Sequence, residues 1–359
     1  MGLPDWLTPR RADARPALNL ALQGGGAHGA FTWGVLDALL EADRFHLSAL
    51  SGSSAGAMNA VVLAQGLLDG GPDGARAALE RFWTAIGSHL PFEWLTTGQD
   101  DALAFSPAAR LLMRWTQSFA PHQLNPLDRN PLRDVLAAQV DFERLRHDTG
   151  GPRLKIAATQ VDSGRLTVFE RHQLSLEALL ASACLPTLHH TVMVDGEPYW
   201  DGGYSANPAL FPLLADAGCA TDTLLVLLAP RSHASTPRSA AEIRERAMDI
   251  AFQAPFLREL ALLHEMQAAL QPPAWWRRGL PARLARARWH LVDGQATLAA
   301  LHGETRLIAH LPFLQRLRDA GRAEAQAWLA SGAGRVGRGG GVTLGAVAGR
   351  HVAQPSFLE

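Results

Sequence analysis

The sequence predicts an α/β fold layered around a mainly parallel central sheet. Three observations carry that expectation. Short apolar runs of strand length alternate with helical stretches throughout residues 17–230. Two of these runs end in glycine-rich turns that open helices, at residues 23–29 and 51–57. Hydrophobic residues make up 47% and charged residues 19%, so a chain of 359 residues can fill one large core or two medium ones.

Residues 1–16 read as a polar lead-in without the apolar run of a secretory signal. Ala17-Leu18-Asn19-Leu20-Ala21-Leu22 is the first buried strand. It runs into Gln23-Gly24-Gly25-Gly26-Ala27-His28-Gly29 and then a helix over 30–41, where Phe31, Val35, Leu36 and Leu39 recur near helical spacing. His46-Leu47-Ser48-Ala49-Leu50 is a second strand, followed by Ser51-Gly52-Ser53-Ser54-Ala55-Gly56-Ala57 and a helix to residue 64. Residues 70–130 are less periodic. Trp83, Phe92, Trp94, Phe105, Trp115 and Phe119, interrupted by prolines, suit either ordinary core packing or the wall of an apolar cleft. Asn130-Pro131 is an N-cap with proline at the first helical position, opening a helix to residue 138.

Residues 154–159 and 166–169 read as strands around the turn Asp162-Ser163-Gly164, with a helix over 176–183 after them. Asp195-Gly196 is a two-residue hairpin turn between strands at 191–194 and 197–200. Asp201-Gly202-Gly203 closes that hairpin. Asn207-Pro208 reads as another helix start, and 223–228 as a further buried strand. Beyond Pro230 the pattern turns helical. A long helix over 242–270, with apolar Ile243, Ala247, Ile250, Ala251 and Leu257, contains Pro255, which is expected to kink or divide it. Trp275-Trp276-Arg277-Arg278, with Arg283, Arg286, Arg288 and Trp289, suits a solvated basic face, a peripheral membrane contact or the seam of a homodimer. A helix over 311–329 precedes a glycine-rich stretch expected to be a mobile tail. The expected organisation is a lead-in (1–16), a catalytic domain (17–230), a mainly helical extension (231–330) and a tail (331–359).

A formal net charge of −1 gives no pull toward nucleic acid. The two cysteines, Cys184 and Cys219, have no metal-ligand spacing, so neither a zinc site nor a disulfide framework is indicated. No uninterrupted apolar run reaches membrane-spanning length, and the expected location is cytoplasmic.

Gly52-Ser53-Ser54-Ala55-Gly56 fits the G-x-S-x-G nucleophile elbow in the strand–turn–helix setting that motif requires. Glycines at both ends let neighbouring backbones pass close to a sharp turn. The same residues also suit a plain tight helix N-terminus. A serine nucleophile needs a base and donors for the oxyanion. Bare amides of Gly24, Gly25 and Gly26, with Gly29 behind them, would serve as those donors. Gly24, Gly26 and Gly29 equally satisfy the dinucleotide fingerprint, which makes a nucleotide-binding module the competing reading. That reading wants an acidic residue at the end of the second strand, where this chain has Ser51-Gly52-Ser53-Ser54 instead. For the base, Asp201 on its glycine-hinged strand end is well placed, flanked by Gly202 and Gly203. Among the fourteen histidines, His233, His264 and His310 follow Asp201 in the order of a Ser-His-Asp esterase, yet none lies in a distinctive turn. The residues therefore favour a Ser54–Asp201 dyad over a triad acting on polyester or thioester substrates.

Three ordered blocks resemble the patatin-like phospholipases: Gly24-Gly25-Gly26-Ala27-His28-Gly29, Gly52-Ser53-Ser54-Ala55-Gly56, and Asp201-Gly202-Gly203 with Asn207-Pro208 behind it. Ala181-Ser182-Ala183-Cys184-Leu185-Pro186 is similar to that family's pattern too. The resemblance covers about residues 17–230. It implies a three-layer α/β/α sandwich and hydrolysis of a lipid acyl ester, with no cofactor. It also implies an acyl-enzyme on Ser54, Asp201 as base, and the 24–26 loop as oxyanion hole. One departure stands out: the family usually carries Arg or Lys where this chain has His28, which would make the order of the loop depend on pH or require a brace from elsewhere.

Overall fold

The structure, a computed structural model, describes residues 15–88, 95–98, 103–116, 119–230, 236–271, 278–301 and 303–349. Strand β1 (Ala17–Leu22) leads through a 3₁₀ turn (Gly26–His28) into α1 (Gly29–Ala42). β2 (His46–Gly52) leads into α2 (Ala55–Ser88), which is broken at Gly70 and Gly71. A small ladder of β3 (Thr96–Thr97) and β4 (Ala104–Phe105) precedes the helices α3 (Pro107–Thr116), α4 (Pro121–Leu124), α5 (Pro131–Gln139) and α6 (Phe142–His147). Then come β5 (Arg153–Gln160), β6 (Leu166–Glu170), α7 (Leu176–Ser182), β7 (Val192–Val194), β8 (Glu197–Asp201), α8 (Phe211–Ala215) and β9 (Asp222–Leu227). The remainder is α9 (Ala240–Ala269), α10 (Gly279–Arg286), β10 (Arg288–Asp293), α11 (Gln295–Leu298), α12 (Leu311–Ser331) and α13 (Leu344–Val347).

The sheet has the order β10-β9-β1-β2-β5-β8-β7, with β6 also on β5. The five strands from β10 to β5 run parallel, while β6, β7 and β8 pair antiparallel. Alternate residues of a strand face opposite sides, so the central strands feed two cores. Leu18, Leu20 and Leu22 of β1 join Leu224 and Val226 in a core beneath α1, α2 and α12. Ala21, Leu225 and Leu227 join a second core with residues of α8, α9, α10 and α13. Helices thus cover both faces, as a mainly parallel sheet requires.

The region after Pro230 differs in three ways from the sequence expectation. It supplies a strand, since β10 pairs along its whole length with β9, and Trp289 on it is buried. The apolar and basic character of 288–289 thus reflects an edge strand. Arg283 donates to the carbonyls of Leu214 and Ala215, and Arg288 grips Asp222, so these cations tie the fold together. Trp275 and Trp276 lie outside the described residues. α9 runs through Pro255 without dividing, held by the buried side chains of Phe256, Leu260 and Leu263 that follow it. Residues 331–349, expected to be a mobile tail, are instead packed on the sheet edge. Val342 bridges to Trp289, and Val336, Leu344 and Val347 are buried, anchors that the glycines around them obscure in the sequence. Within the first core, Gly34 and Gly321 let α1 and α12 touch backbone to backbone. A Cβ on Gly34 would stand 1.8 Å from the Arg318 carbonyl oxygen.

Candidate functional site

Ser54 and Asp201 meet because two strands end against the same edge of β5. β6 occupies one edge of β5 from Lys155 to Thr159. β2 and β8 both pair within that stretch, so both must lie along the other edge. They approach from opposite directions: β2 ends at Gly52 opposite Ile156, and β8 ends at Asp201 opposite Ala158. A single residue, Ala157, separates the two ends. The turn that follows Gly52 carries Ser54 upward, and Asp201 faces it from the other strand.

The turn at Ser54 is strained and tightly pinned. Ser54 has φ of 54°, a left-handed conformation that costs a non-glycine residue on the order of 1 kcal/mol. Its N–H donates to both the carbonyl (3.0 Å) and the hydroxyl (3.1 Å) of Ser182, the last residue of α7. Ser53 Oγ donates to the Ala206 carbonyl and Ser51 Oγ to that of Ala209, which ties the end of β2 to the segment after Asp201. Gly56 allows α2 to cross β1, since a Cβ there would lie 2.1 Å from the Leu22 carbonyl oxygen. Gly52 is pressed against Gly56 in the same way.

Asp201 is completely buried. Its Oδ1 accepts the Gly203 N–H at 2.7 Å. Its Oδ2 is buried without a hydrogen bond of good geometry. Burial pushes the carboxyl up to about 7, opposed by the Gly203 N–H and by the neighbouring Ser54 hydroxyl. Ser54 is thus close enough to influence the carboxyl without being well bonded to it, a spacing common at sites without substrate. Among the described residues, no histidine acts on Asp201. His264 packs against Gly345 of α13, and His233 lies outside the described residues. Gly202 passes close over the Ala157 carbonyl, and Gly203 lies under the ring of Phe252.

The glycine loop lies directly against the serine. A Cβ on Gly24 would meet Ser53 O at 2.6 Å and Ser54 Cβ at 2.7 Å. The Gly24 N–H is occupied, donating to Asn207 Oδ1 at 2.7 Å. Asn207 therefore does not open a helix, which begins only at Phe211; its side chain is spent on the glycine loop. Gln23 completes the tie, donating to the Asn207 carbonyl and accepting from the N–H groups of Leu228 and Ala229. Gly26 has φ of 59° and is backed by the Arg306 carbonyl. Among the described residues, the N–H groups of Gly25, Gly26 and Ala55 donate to no acceptor. Gly29 abuts Ala55 and Trp83, and its carbonyl accepts from Asn59.

His28 is turned away from the loop, buried against Phe313, with Nε2 at 2.7 Å from Thr305 Oγ1. Burial, reinforced by the Arg306 charge, lowers its pKa to about 3, so it is neutral at ordinary pH. The brace comes from elsewhere, from the 3₁₀ turn Gly303–Leu307, which backs Gly26 and holds His28. Sequence reasoning gave no role to that turn, which lies some 280 residues from the loop it supports. It also passed over the anchoring role of Ser182.

These features coincide with a family match. The family model described as patatin-like phospholipase matches residues 20–214, just over half of the chain. The chain belongs to the patatin-like phospholipase family. The family's lipid acyl hydrolase chemistry accordingly frames the site. No curated protein matches the sequence. Two solved structures are similar. VipD from Legionella pneumophila is 16% identical with a TM-score of 0.35, over 86% of this chain and 67% of that one. The heterodimeric ExoU-SpcU complex from the type III secretion system of Pseudomonas aeruginosa is 17% identical with a TM-score of 0.30. That match covers 87% of this chain, which spans 52% of its counterpart.

A separate cavity of about 460 Å³ lies at the opposite end of the parallel strands, lined by His46, Lys155, Arg171 and Asp216 among others. Its charges are already spent on one another: Lys155 pairs with Glu170 and Asp216, and Arg171 with Asp148. It is remote from Ser54 and takes no part in the chemistry below. Among the described residues, no cluster of His, Cys, Asp or Glu could hold a metal ion, and no helix is long and apolar enough to cross a membrane.

Proposed function

We propose that this chain hydrolyses acyl esters of lipids, as a phospholipase A or lysophospholipase, through a Ser54–Asp201 dyad. The observation that carries the proposal is Asp201 itself. It is a fully buried carboxyl, with one oxygen anchored and the other unbonded, beside a serine on a strained turn. Burial without a cation raises its proton affinity, which suits a general base working near neutral pH.

The reaction follows from that arrangement. Asp201 Oδ2 takes the proton of Ser54 as Oγ bonds to the substrate carbonyl carbon. The carbonyl oxygen becomes an oxyanion, held by the unoccupied N–H groups of Gly25 and Gly26. The Gly24 amide, committed to Asn207, positions the loop without donating to the substrate. Collapse of the intermediate breaks the bond to the leaving alcohol, which departs with the proton from Asp201. Water then attacks the acyl-enzyme, passing its proton to Asp201 and restoring the Ser54 hydroxyl.

A fluorophosphonate probe is expected to label Ser54 in the folded chain, mapped by mass spectrometry. Ser54→Ala and Asp201→Asn are each expected to abolish hydrolysis of p-nitrophenyl esters. Normal turnover by either variant would overturn the dyad. Tight binding of NAD or ATP in isothermal titration, with no labelling, would instead favour the nucleotide reading of Gly24, Gly26 and Gly29.

A further inference from the structure

The apolar stripe that the sequence assigns to the first half of α9 does not face the protein. Ile243 and Ile250 are 51% and 50% exposed, and Ala247 and Ala251 between and beside them are exposed as well. The side turned inward carries Asp249 and Gln253, both buried. A second helix repeats the pattern: on α3, Leu111 (70%), Leu112 (55%) and Trp115 (59%) face outward, with the Phe119 ring 4.8 Å from that of Trp115. Scattered exposed leucines need no explanation, but two outward apolar helix faces beside one site do.

Both helices are fastened to the turn that braces the glycine loop. Glu304 accepts the Phe105 N–H at 3.1 Å and pairs with Arg110 of α3 at 3.3 Å. Arg306 pairs with Asp249 of α9. Thr305 holds His28, and Arg306 backs Gly26. On the other side of the site, Phe252 of α9 covers Gly203, and its ring lies 4.5 Å from that of Tyr204. The apolar faces of α3 and α9 therefore adjoin the Ser54–Asp201 site from the glycine-loop side and the aspartate side.

We propose that α3 and α9 together form a collar that seats this chain on the surface of a lipid bilayer with Ser54 facing the lipid. The inference rests on the lipid-ester reading above. A protein partner seated on this collar would cover the site, whereas a bilayer would cover the collar and present the substrate. The first half of α9 carries Glu242, Glu245 and Asp249 against Arg244 and Arg246, so charge does not select anionic lipid. Insertion of isoleucine, leucine and tryptophan side chains drives the contact, as in helices that lie in the interfacial plane.

The test uses phosphatidylcholine vesicles and the full chain carrying Ser54→Ala, which leaves the lipid intact. The chain is expected to co-sediment with the vesicles equally at low and at high salt. Ile243→Glu with Ile250→Glu, and separately Leu111→Glu with Leu112→Glu, are expected to reduce partitioning at least about tenfold. In the Ser54 background, the same pairs should leave p-nitrophenyl butyrate hydrolysis and the melting temperature unchanged. Undiminished partitioning by both pairs, or no partitioning by the parent chain, would overturn the collar. A dimer in light scattering that these pairs dissociate, without vesicle binding, would assign the surface to a second copy and overturn it as well. Vesicle binding without any ester hydrolysis would remove the catalytic reading alone, and hydrolysis of soluble esters without vesicle binding would remove the collar alone.

Discussion

Asn207 accepts the Gly24 N–H at 2.7 Å, which fixes the first glycine of the loop to the segment that follows Asp201. The same segment receives the hydroxyls of Ser51 and Ser53. One short stretch thereby sets the spacing of all three parts of the site. Asn207→Ala removes the acceptor and leaves a buried amide unpaired. We expect kcat for p-nitrophenyl butyrate to fall about ten- to a hundredfold with KM little changed, because the lost alignment matters most to the oxyanion. Steady-state kinetics, with circular dichroism to verify folding, checks this. An unchanged kcat would show that the loop is held without Asn207.

The pH profile follows from Asp201. Only the carboxylate can take the serine proton, and burial raises its pKa to about 7. Activity on a soluble ester should therefore rise with pH through an apparent pKa near 7 and level off above it. A free carboxyl of ordinary pKa would put that limb near pH 4. A rate already flat between pH 5 and 8 would exclude Asp201 as the base.

His28 gives the opposite linkage. Its folded pKa of about 3 lies below the value of 6.5 expected in the unfolded chain. Between those values the unfolded chain binds a proton that the folded chain refuses, so stability is lost as pH falls from about 6.5 toward 3. His28→Gln can keep a hydrogen bond to Thr305 and does not titrate. Its urea midpoint should decline less between pH 6.5 and 4 than that of the parent chain. Parallel declines would place His28 outside this linkage.

The strands and the two glycine turns were legible because their signals are local. Alternating burial along β1, the Asp195-Gly196 turn and the Asn130 cap each depend on residues within a few positions. Where the partner is distant in the chain, the local pattern misleads. Asn207-Pro208 has the form of a helix start, but the asparagine side chain is claimed by a glycine 183 residues away. Ile243 and Ile250 have the spacing of a buried face, but the salt bridge from Asp249 to Arg306 turns the other side of the helix inward. Glycine content made 331–349 look mobile, and only the β10 edge explains why it is ordered. The meeting of Ser54 and Asp201 was expected from two glycine-hinged turns. Its cause, two strands converging on one edge of β5, requires the register.

Asp201 sets catalysis against stability. In the unfolded chain the carboxyl ionises near 3.8, whereas in the folded chain it holds its proton up to about 7. Across that interval the folded state binds a proton that the unfolded state has released, so stability declines as pH rises from about 4 to about 7 and is level above. Raising a carboxyl that far corresponds to about 4 kcal/mol, a sizeable share of the total stability of a typical domain. Asp201→Asn keeps an oxygen for the Gly203 N–H and offers an amide N–H toward the Ser54 hydroxyl, with no charge to bury. This variant should be inactive yet more stable than the parent at pH 8, with the advantage shrinking toward zero near pH 4. Urea unfolding across that range measures it. A variant less stable at every pH would mean that the site tolerates the carboxylate without cost, and the raised proton affinity assigned to Asp201 would have to be abandoned.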